Sequence, residues 1–365
     1  MRHYSVTMPP DGSRPSDSTR SREVVRDAER SRPRRATIHD VAAEAGMSHG
    51  TVSRVLNAER YVSAEARSAV EKAIEKVGYV RNTAARNLKT QRSHAIGMIV
   101  HEPHSLFLED PNIGAILLGA NSVLSDADYQ LVSLVIDSDR DSDRVAQYLR
   151  GGFVDGVVII SARAGDPIAR AVATIGIPAA FVGHPPDIDG ISFVGIDNYA
   201  AARAITERLL ETGRRKIGMI ASALDRDSGR DRLAGFRDAL GDRFDQSLVV
   251  TYPLYAYGTG LAGARELLGR APDLDGLFAA SDAIAAGALD GLREAHRRVP
   301  ADVGVVGFDD SAWAMRCVPP LSTVRQPAAE LGRMAATQVL AQLRGEPIDS
   351  LGVLLPTSIV WRDSA

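Results

Sequence analysis

Opposite the apolar Val52, Val55 and Leu56, the residues His49, Gly50, Ser53, Arg54 and Asn57 recur at helical spacing and form a short polar face. Arg54 carries the sharpest chemistry there. Its planar fork matches the two acceptors O6 and N7 of guanine, whereas an ordinary surface arginine is solvated or touches phosphate. Ser48, Thr51, Ser53 and Asn57 are short hydrogen-bonding residues suited to phosphate oxygens, which fix register without reading sequence. Ser48 serves equally as a helix cap. A second group stands at the ends of apolar runs. Asp309 follows VGVVGF and so emerges at the carboxyl end of a strand, where open α/β sheets bind ligands. Ser161 follows DGVVII, and Phe107 lies in the loop after the first strand; packing explains either equally well. Ser281 and Asp282 end a strand and open a helix, so capping competes with ligand contact.

These residues need elements to hold them. Thr37 can cap a helix with Asp40 at its third position and Val41, Ala42 and Ala45 on one side; Gly46 permits a tight turn, and Ser48 caps a second helix. A third helix begins at Ser63, carries Ala66, Ala69, Val70, Ala73, Ile74 and Val77 on one face, and stops at Gly78. After Arg92 the texture becomes alternating strands and helices, with runs at Ile96 to Val100, Tyr129 to Ile136, Gly156 to Ile160, Lys216 to Ile220, Leu277 to Ala280 and Val303 to Phe308. The later runs are almost continuously apolar, as parallel sheets covered on both faces require. About 270 residues of such alternation predict two doubly wound lobes with a cleft between them.

At 365 residues, 45% hydrophobic and 24% charged, the chain is too long for a small stapled scaffold and too apolar for bulk disorder. Charge is uneven: residues 1–92 hold 18 Lys and Arg against 11 Asp and Glu, and the remainder 25 against 35. A basic segment on an acidic body points to a polyanion at the N-terminal part, and nucleic acid is the natural candidate. Residues 1–35 mix arginine with Ser, Asp, Pro and Gly without apolar periodicity and predict a disordered basic tail with no assigned function. Cys317 stands alone, and His101, His104, His184 and His296 lack metal-ligand spacing. With no catalytic constellation or phosphate-binding glycine loop either, no enzyme, metal or cofactor is expected. No membrane span or export signal is evident, and a cytoplasmic location is expected.

The stretch ATIHDVAAEAGMSHGTVSRVLN, from Ala36 to Asn57, resembles the helix-turn-helix of the lactose/galactose repressor (LacI/GalR) family, and the resemblance continues through VSAEARSAVEKAIEKVGYVRNTAARNLKT to the terminal strand near Val360. It implies a small all-α headpiece over residues 36–80, a hinge over 81–93, and a periplasmic-binding-protein-like effector and dimerisation domain over 94–365. The N-lobe is expected at about 94–194 and 326–355, and the C-lobe at about 195–325 and 356–365. The second helix then enters the major groove, with His49, Gly50 and Arg54 near base edges. Gly50 has no side chain where the family often presents a base reader, so no base preference carries over at that step. NTAARNLK, Asn82 to Lys89, resembles the family's minor-groove hinge: Leu88 matches the intercalating wedge, Ala85 the small residue at the groove floor, and Asn82 and Lys89 further contacts. The alternative makes Leu88 a buried linker residue. A preference for a central CG step is implied.

In the body, Asp309 and Arg232 match effector-binding positions, Arg226 and Ser228 match contacts used for other effectors, and Tyr255 falls near the ligand-stacking aromatic, with packing an equal alternative for Tyr255. The competing reading of Asp309 and Arg232 is an interlobe salt bridge. Carboxylate and guanidinium together suit a polyhydroxylated ligand. The expected function is an operator-binding regulator, a repressor, controlled allosterically by a sugar or sugar phosphate, with purine-like effectors the alternative. A homodimer on a pseudopalindromic operator is expected, since no leucine-heptad tail follows Trp361. A solute-binding protein, a regulator signalled by a phosphocarrier protein and an enzyme on the same body are the competitors.

Overall fold

Thr37 starts the first helix by a reciprocal cap: its hydroxyl accepts from the Asp40 amide at 3.4 Å while the Asp40 carboxylate accepts from the Thr37 amide at 2.7 Å. In the computed structural model, which describes residues 36–57, 61–80, 92–160, 162–184, 190–348 and 350–365, contacts divide the chain into two compact units, residues 1–86 and 87–365. The tail over 1–35, hinge residues Asn82, Ala85, Leu88 and Lys89, and Ser161 lie outside the described residues.

The first unit holds α1 (Ile38–Ala45), α2 (His49–Leu56) and α3 (Ala64–Val77). Gly46, at φ 64°, ends α1 in the left-handed conformation that allows the turn into α2. Ser48 and Ser63 cap α2 and α3 by accepting from the amides of Thr51 at 3.1 Å and Ala66 at 3.2 Å. Val41, Ala42, Val52, Val55, Val70 and Ala73 form the buried centre, so the apolar faces of all three helices meet.

The second unit opens with β1 (Ala95–His101), α4 (His104–Glu109), α5 (Pro111–Asp126), β2 (Gln130–Ile136), α6 (Asp139–Arg150), β3 (Gly156–Ile160), α7 (Pro167–Ile175), β4 (Ala179–Val182) and β5 (Ser192–Ile196). There follow α8 (Asn198–Glu211), β6 (Ile217–Ser222), α9 (Asp227–Leu240), β7 (Val249–Tyr252), α10 (Tyr257–Arg270), β8 (Gly276–Ala279), α11 (Asp282–Glu294), β9 (Gly304–Val306) and α12 (Ala312–Arg316). The last elements are β10 (Thr323–Arg325), α13 (Ala328–Arg344), β11 (Gly352–Leu355) and β12 (Ser358–Val360). The first lobe is a parallel sheet in the order β11-β5-β4-β3-β1-β2. Its apolar GVVII strand β3 is buried throughout, because α6 and α7 cover one face and α5 and α13 the other. The second lobe is a parallel sheet in the order β7-β6-β8-β9, continued by a bridge from Val306 to Ser322 and by the antiparallel pair β10 and β12.

The chain crosses between lobes three times: after β5, between β10 and α13, and between β11 and β12. The first crossing lies just past the lobe boundary expected at about residue 194. β5 stays in the first sheet through Ile196, which pairs with Leu355. Among the described residues no helix is long and apolar enough to cross a membrane.

Helix packing in this unit leans on absent side chains. A Cβ on Gly119 of α5 would lie 1.9 Å from the Ala329 carbonyl oxygen of α13, and one on Gly332 of α13 would lie 2.0 Å from that of Ile116. Gly332→Ala must therefore push the helices apart, at a cost of about 1–3 kcal/mol. Gly114→Ala, on α5 with nothing within 4 Å of the added carbon, should leave stability unchanged or raise it by about 0.4–1 kcal/mol. Thermal unfolding of both variants checks this, and equal midpoints would contradict the close crossing.

Candidate functional site

Two clusters of polar side chains stand out, one in each unit. On α2 of the first unit, His49, Gly50, Arg54 and Asn57 are exposed while Thr51 and Ser53 are half-buried. The Ser48 hydroxyl is shared between the Thr51 amide and, at 2.9 Å, the Thr51 hydroxyl. Arg54 Nε donates to the Gly50 carbonyl at 3.3 Å, which lays the guanidinium along the exposed face toward the helix N-terminus. Asn57 Nδ2 donates to Ser53 Oγ at 3.5 Å. A Cβ on Gly50 would have Arg54 Nη2 and Ser48 Oγ as its nearest neighbours at 3.8 Å, so packing inside the headpiece does not demand a glycine there. The face is a row of short donors and acceptors around one long cation.

In the second unit the carboxyl ends of strands from both lobes converge on a cleft of about 830 Å³, its mouth included. Within it are Arg226, Ser228, Arg232, Tyr255 and Asp309, five of the eight residues expected to meet an effector. Arg232, projecting from α9, is pinned: Nε donates to Asn198 Oδ1 at 3.0 Å, Nη1 donates to the Ala280 carbonyl at 2.7 Å, and the guanidinium lies 3.7 Å over the Phe308 ring. Asp309 follows β9 with φ 120°, a conformation an L-residue adopts only under strain, and its Oδ1 accepts from Gln326 Nε2 at 2.6 Å. The same oxygen stands 3.8 Å from Arg232 Nη1. Among the described residues, Asp309 Oδ2 and Arg232 Nη2 have no hydrogen-bond partner, leaving one acceptor and one donor for a ligand.

Burial holds the Asp309 carboxyl well above the usual range; Arg232 opposes that, and the charges of Asp282 and Asp110 add to it. Burial likewise pushes Asp110, which caps α5 through the Asn112 amide, up to about 6. Tyr255 shares a 3.2 Å contact between its hydroxyl and Ser228 Oγ, and Arg232 lies 5.6 Å from its ring centre.

The competing reading of Asp309 and Arg232 as an interlobe bridge does not describe them, since both belong to the second lobe. The bridge is made by Arg226 instead. Its two terminal nitrogens donate to the two oxygens of Glu102, which follows β1 in the first lobe. Phe107 and Ser281, also expected to meet an effector with packing and capping as their alternatives, are not among the residues lining the cleft. Phe107 sits on α4, half-buried against the core, and Ser281 caps α11 by accepting from the Ile284 amide at 3.3 Å. Glu102, Asp110, Asn198 and Gln326 line the cleft without having been singled out. Glu102 and Asn198 follow β1 and β5, so the rule that found Asp309 applies to both.

Residues 37–82 match the family of bacterial regulatory proteins, lacI family, and residues 206–365 match the periplasmic binding protein-like domain. The HTH-type transcriptional regulator CelR of Thermobifida fusca is 40% identical over 338 residues, which cover 91% of this chain and 99% of that protein. The chain belongs to the LacI family. A ribose operon repressor of Halalkalibacterium halodurans is 31% identical over 90% of this chain and 96% of its own length. Among solved structures, the complex of transcriptional regulator CelR with cellobiose has a TM-score of 0.72 at 38% identity, over 91% of this chain and all of that one. The Lac repressor dimer bound to operator and the anti-inducer ONPF has a TM-score of 0.81 at 27% identity, over 91% and 99%. This LacI-family chain is thus an operator-binding transcriptional regulator and not an enzyme, with a helix-turn-helix headpiece and a two-lobed periplasmic-binding-protein-like effector domain.

Arg54→Ala should weaken specific operator binding by about 1–3 kcal/mol and relax preference at one base position. Selection of operators from a random library reads this directly, and an unchanged base preference would remove Arg54 from the readout. For Asp110 the folded value lies above the ordinary 3.8, so stability from its neutral form is fully present below that value and is lost as pH rises through about 6. Asp110→Asn keeps an N-cap acceptor and has no charge to form. Its melting temperature relative to the parent should therefore climb between pH 4 and pH 7, whereas a constant offset would place the carboxyl in water.

Proposed function

We propose that this regulator is a repressor whose cleft takes a small sugar, held by Asp309 and Arg232 with Tyr255 against its apolar face. The acceptor left on Asp309 and the donor left on Arg232 among the described residues, on two buried side chains 3.8 Å apart between Oδ1 and Nη1, carry this reading. Adjacent sugar hydroxyls supply the complementary donor and acceptor, whereas an apolar ligand would cover both groups and leave one hydrogen-bonding position of each without a partner. The cellobiose complex of the 38% identical regulator supports a saccharide over a purine.

On DNA the chain is read as a cytoplasmic homodimer on a pseudopalindromic operator, with the α2 face of each headpiece in one half-site and residues 82–89 in the minor groove, Leu88 as the wedge. The family membership and the operator-bound dimer of the Lac repressor support this arrangement. An effector that prefers one state by about 1–3 kcal/mol changes operator affinity roughly 5- to 150-fold.

Calorimetric titration with cellobiose, glucose and a purine set, paired with operator retardation in gels, tests the proposal. Cellobiose or glucose should bind and shift operator affinity, and Asp309→Ala and Arg232→Ala should each lower sugar affinity by about tenfold or more. Wild-type affinity in both variants would refute the assigned pocket, and binding of purines alone would refute the sugar class.

A further inference from the structure

The two guanidinium groups of the cleft wall are used in opposite ways. Arg232 keeps a nitrogen without a hydrogen-bond partner among the described residues, but the fork of Arg226 is filled: Nη1 and Nη2 donate to Oε1 and Oε2 of Glu102, the second at 2.9 Å. The two side chains are 4% and 2% exposed. They come from opposite lobes, Glu102 at the carboxyl end of β1 and Arg226 just ahead of α9. Arg163 Nη2 stands 3.6 Å from the same carboxylate, and Asp225 Oδ1 stands 3.7 Å from Arg226 Nε. Among the described residues lining the cleft, the acids are Glu102, Asp110, Asp227 and Asp309 and the basic groups Arg226, Arg232 and the imidazole of His184, with Arg163 beside Glu102.

We propose that Glu102 is a specificity residue of the effector cleft: by filling the Arg226 fork it excludes phosphorylated and carboxylated sugars and restricts the cleft to neutral saccharides. The inference rests on reading the cleft as a sugar site.

A guanidinium fork in a dry wall is the group that a ligand carboxylate or phosphate would otherwise take, through two parallel charge-assisted bonds. Here that position holds a protein carboxylate of the same geometry. An anionic ligand must displace Glu102 and so bury a second negative charge beside its own, while the cations nearby are already engaged, Arg163 with Glu102 and Asp225 and Arg232 with Asp309. A neutral ligand disturbs nothing. Discrimination therefore comes from a repulsive element built against the wrong class, where hydroxyl contacts alone would accept both.

The test titrates the full-length protein with cellobiose, with its aldonic acid cellobionate and with cellobiose 6-phosphate, which carry the charge at opposite ends of one disaccharide. The parent protein should bind cellobiose and discriminate against both anions by about tenfold or more. Glu102→Gln keeps the shape and gives up the charge, so the affinity of at least one anion relative to cellobiose should rise by about tenfold or more, and the double variant Glu102→Gln with Arg226→Gln should lose that gain. If Glu102→Gln does not fold by circular dichroism, Glu102→Asp uncovers part of the fork and must shift the ratio in the same direction. An unchanged ratio in a folded variant, or a parent that binds anions as well as cellobiose, overturns the charge filter while leaving the sugar site intact. A parent protein that binds none of the three sugars overturns the sugar-effector reading itself.

Discussion

Taking a guanidinium out of water costs several kcal/mol unless an opposite charge and good hydrogen bonds replace the lost solvent. The cleft wall contains two such groups, Arg226 and Arg232, 3% and 5% exposed, and much of the second unit follows from satisfying them. Arg232 is satisfied within its own lobe by Asn198, the Ala280 carbonyl, the Phe308 face and the nearby Asp309. Among the described residues, both terminal nitrogens of Arg226 donate to Glu102 of the other lobe, and Asp225 of its own lobe stands 3.7 Å from Nε. The approach of the lobes and the filling of the Arg226 fork are therefore one event, and the first lobe supplies, through Glu102 and Asp110, part of the electrostatics of a site whose other charged anchors stand in the second.

Parallel topology makes this convergence possible. Every strand of the β11-β5-β4-β3-β1-β2 sheet points its carboxyl end the same way, so the residues after β1 and β5 emerge at one rim, and β9 delivers Asp309 to the facing rim. The second crossing between lobes does more than connect. It carries Gln326, whose side chain grips the Asp309 carboxylate and whose amide donates to the Asp309 carbonyl at 3.3 Å. Those bonds, with the Asp309 amide donating to Val324 at 2.7 Å, hold Asp309 and Asp310 at φ 120° and 53°. A strained backbone at the pocket persists here because neighbouring elements over-determine it.

How much of this could be read in the sequence depended on the range of the interactions involved. The headpiece was legible almost residue by residue, because caps such as Thr37 with Asp40, and stops such as Gly46 and Gly78, act within one helical turn. Strands β3, β6 and β8 were legible because burial on both faces leaves an unbroken apolar run. Asp309 was legible from the strand ahead of it. Glu102 was open to the same argument, but its role depends on meeting a residue 124 positions away, and nothing local reports such a pairing. Asp110 reaches the cleft only because the short α4 turns the chain back after β1, and six residues of HSLFLE carry little periodic signal. Ser281 shows the opposite case: cap and ligand contact draw on the same hydroxyl, and the geometry shows the cap to the Ile284 amide.

The contacts that span the cleft also bear on how an effector can act. Besides Glu102 with Arg226 they include the His184 amide to Asp227 Oδ2 at 2.7 Å, the Ala164 amide to the Asp225 carbonyl at 2.8 Å, and Trp313 Nε1 to the Glu109 carbonyl at 3.4 Å. These are polar bonds whose partners water can replace when the lobes part, so each is worth little net, about 0.5–1.5 kcal/mol for a neutral pair. A handful of them can be offset by the binding energy of one small ligand, whereas an apolar interface of similar extent would hold a single state. Bonds of this kind, at the rim of a cleft that ligand hydroxyls can also bridge, keep the balance between lobe arrangements within the range that an effector can shift.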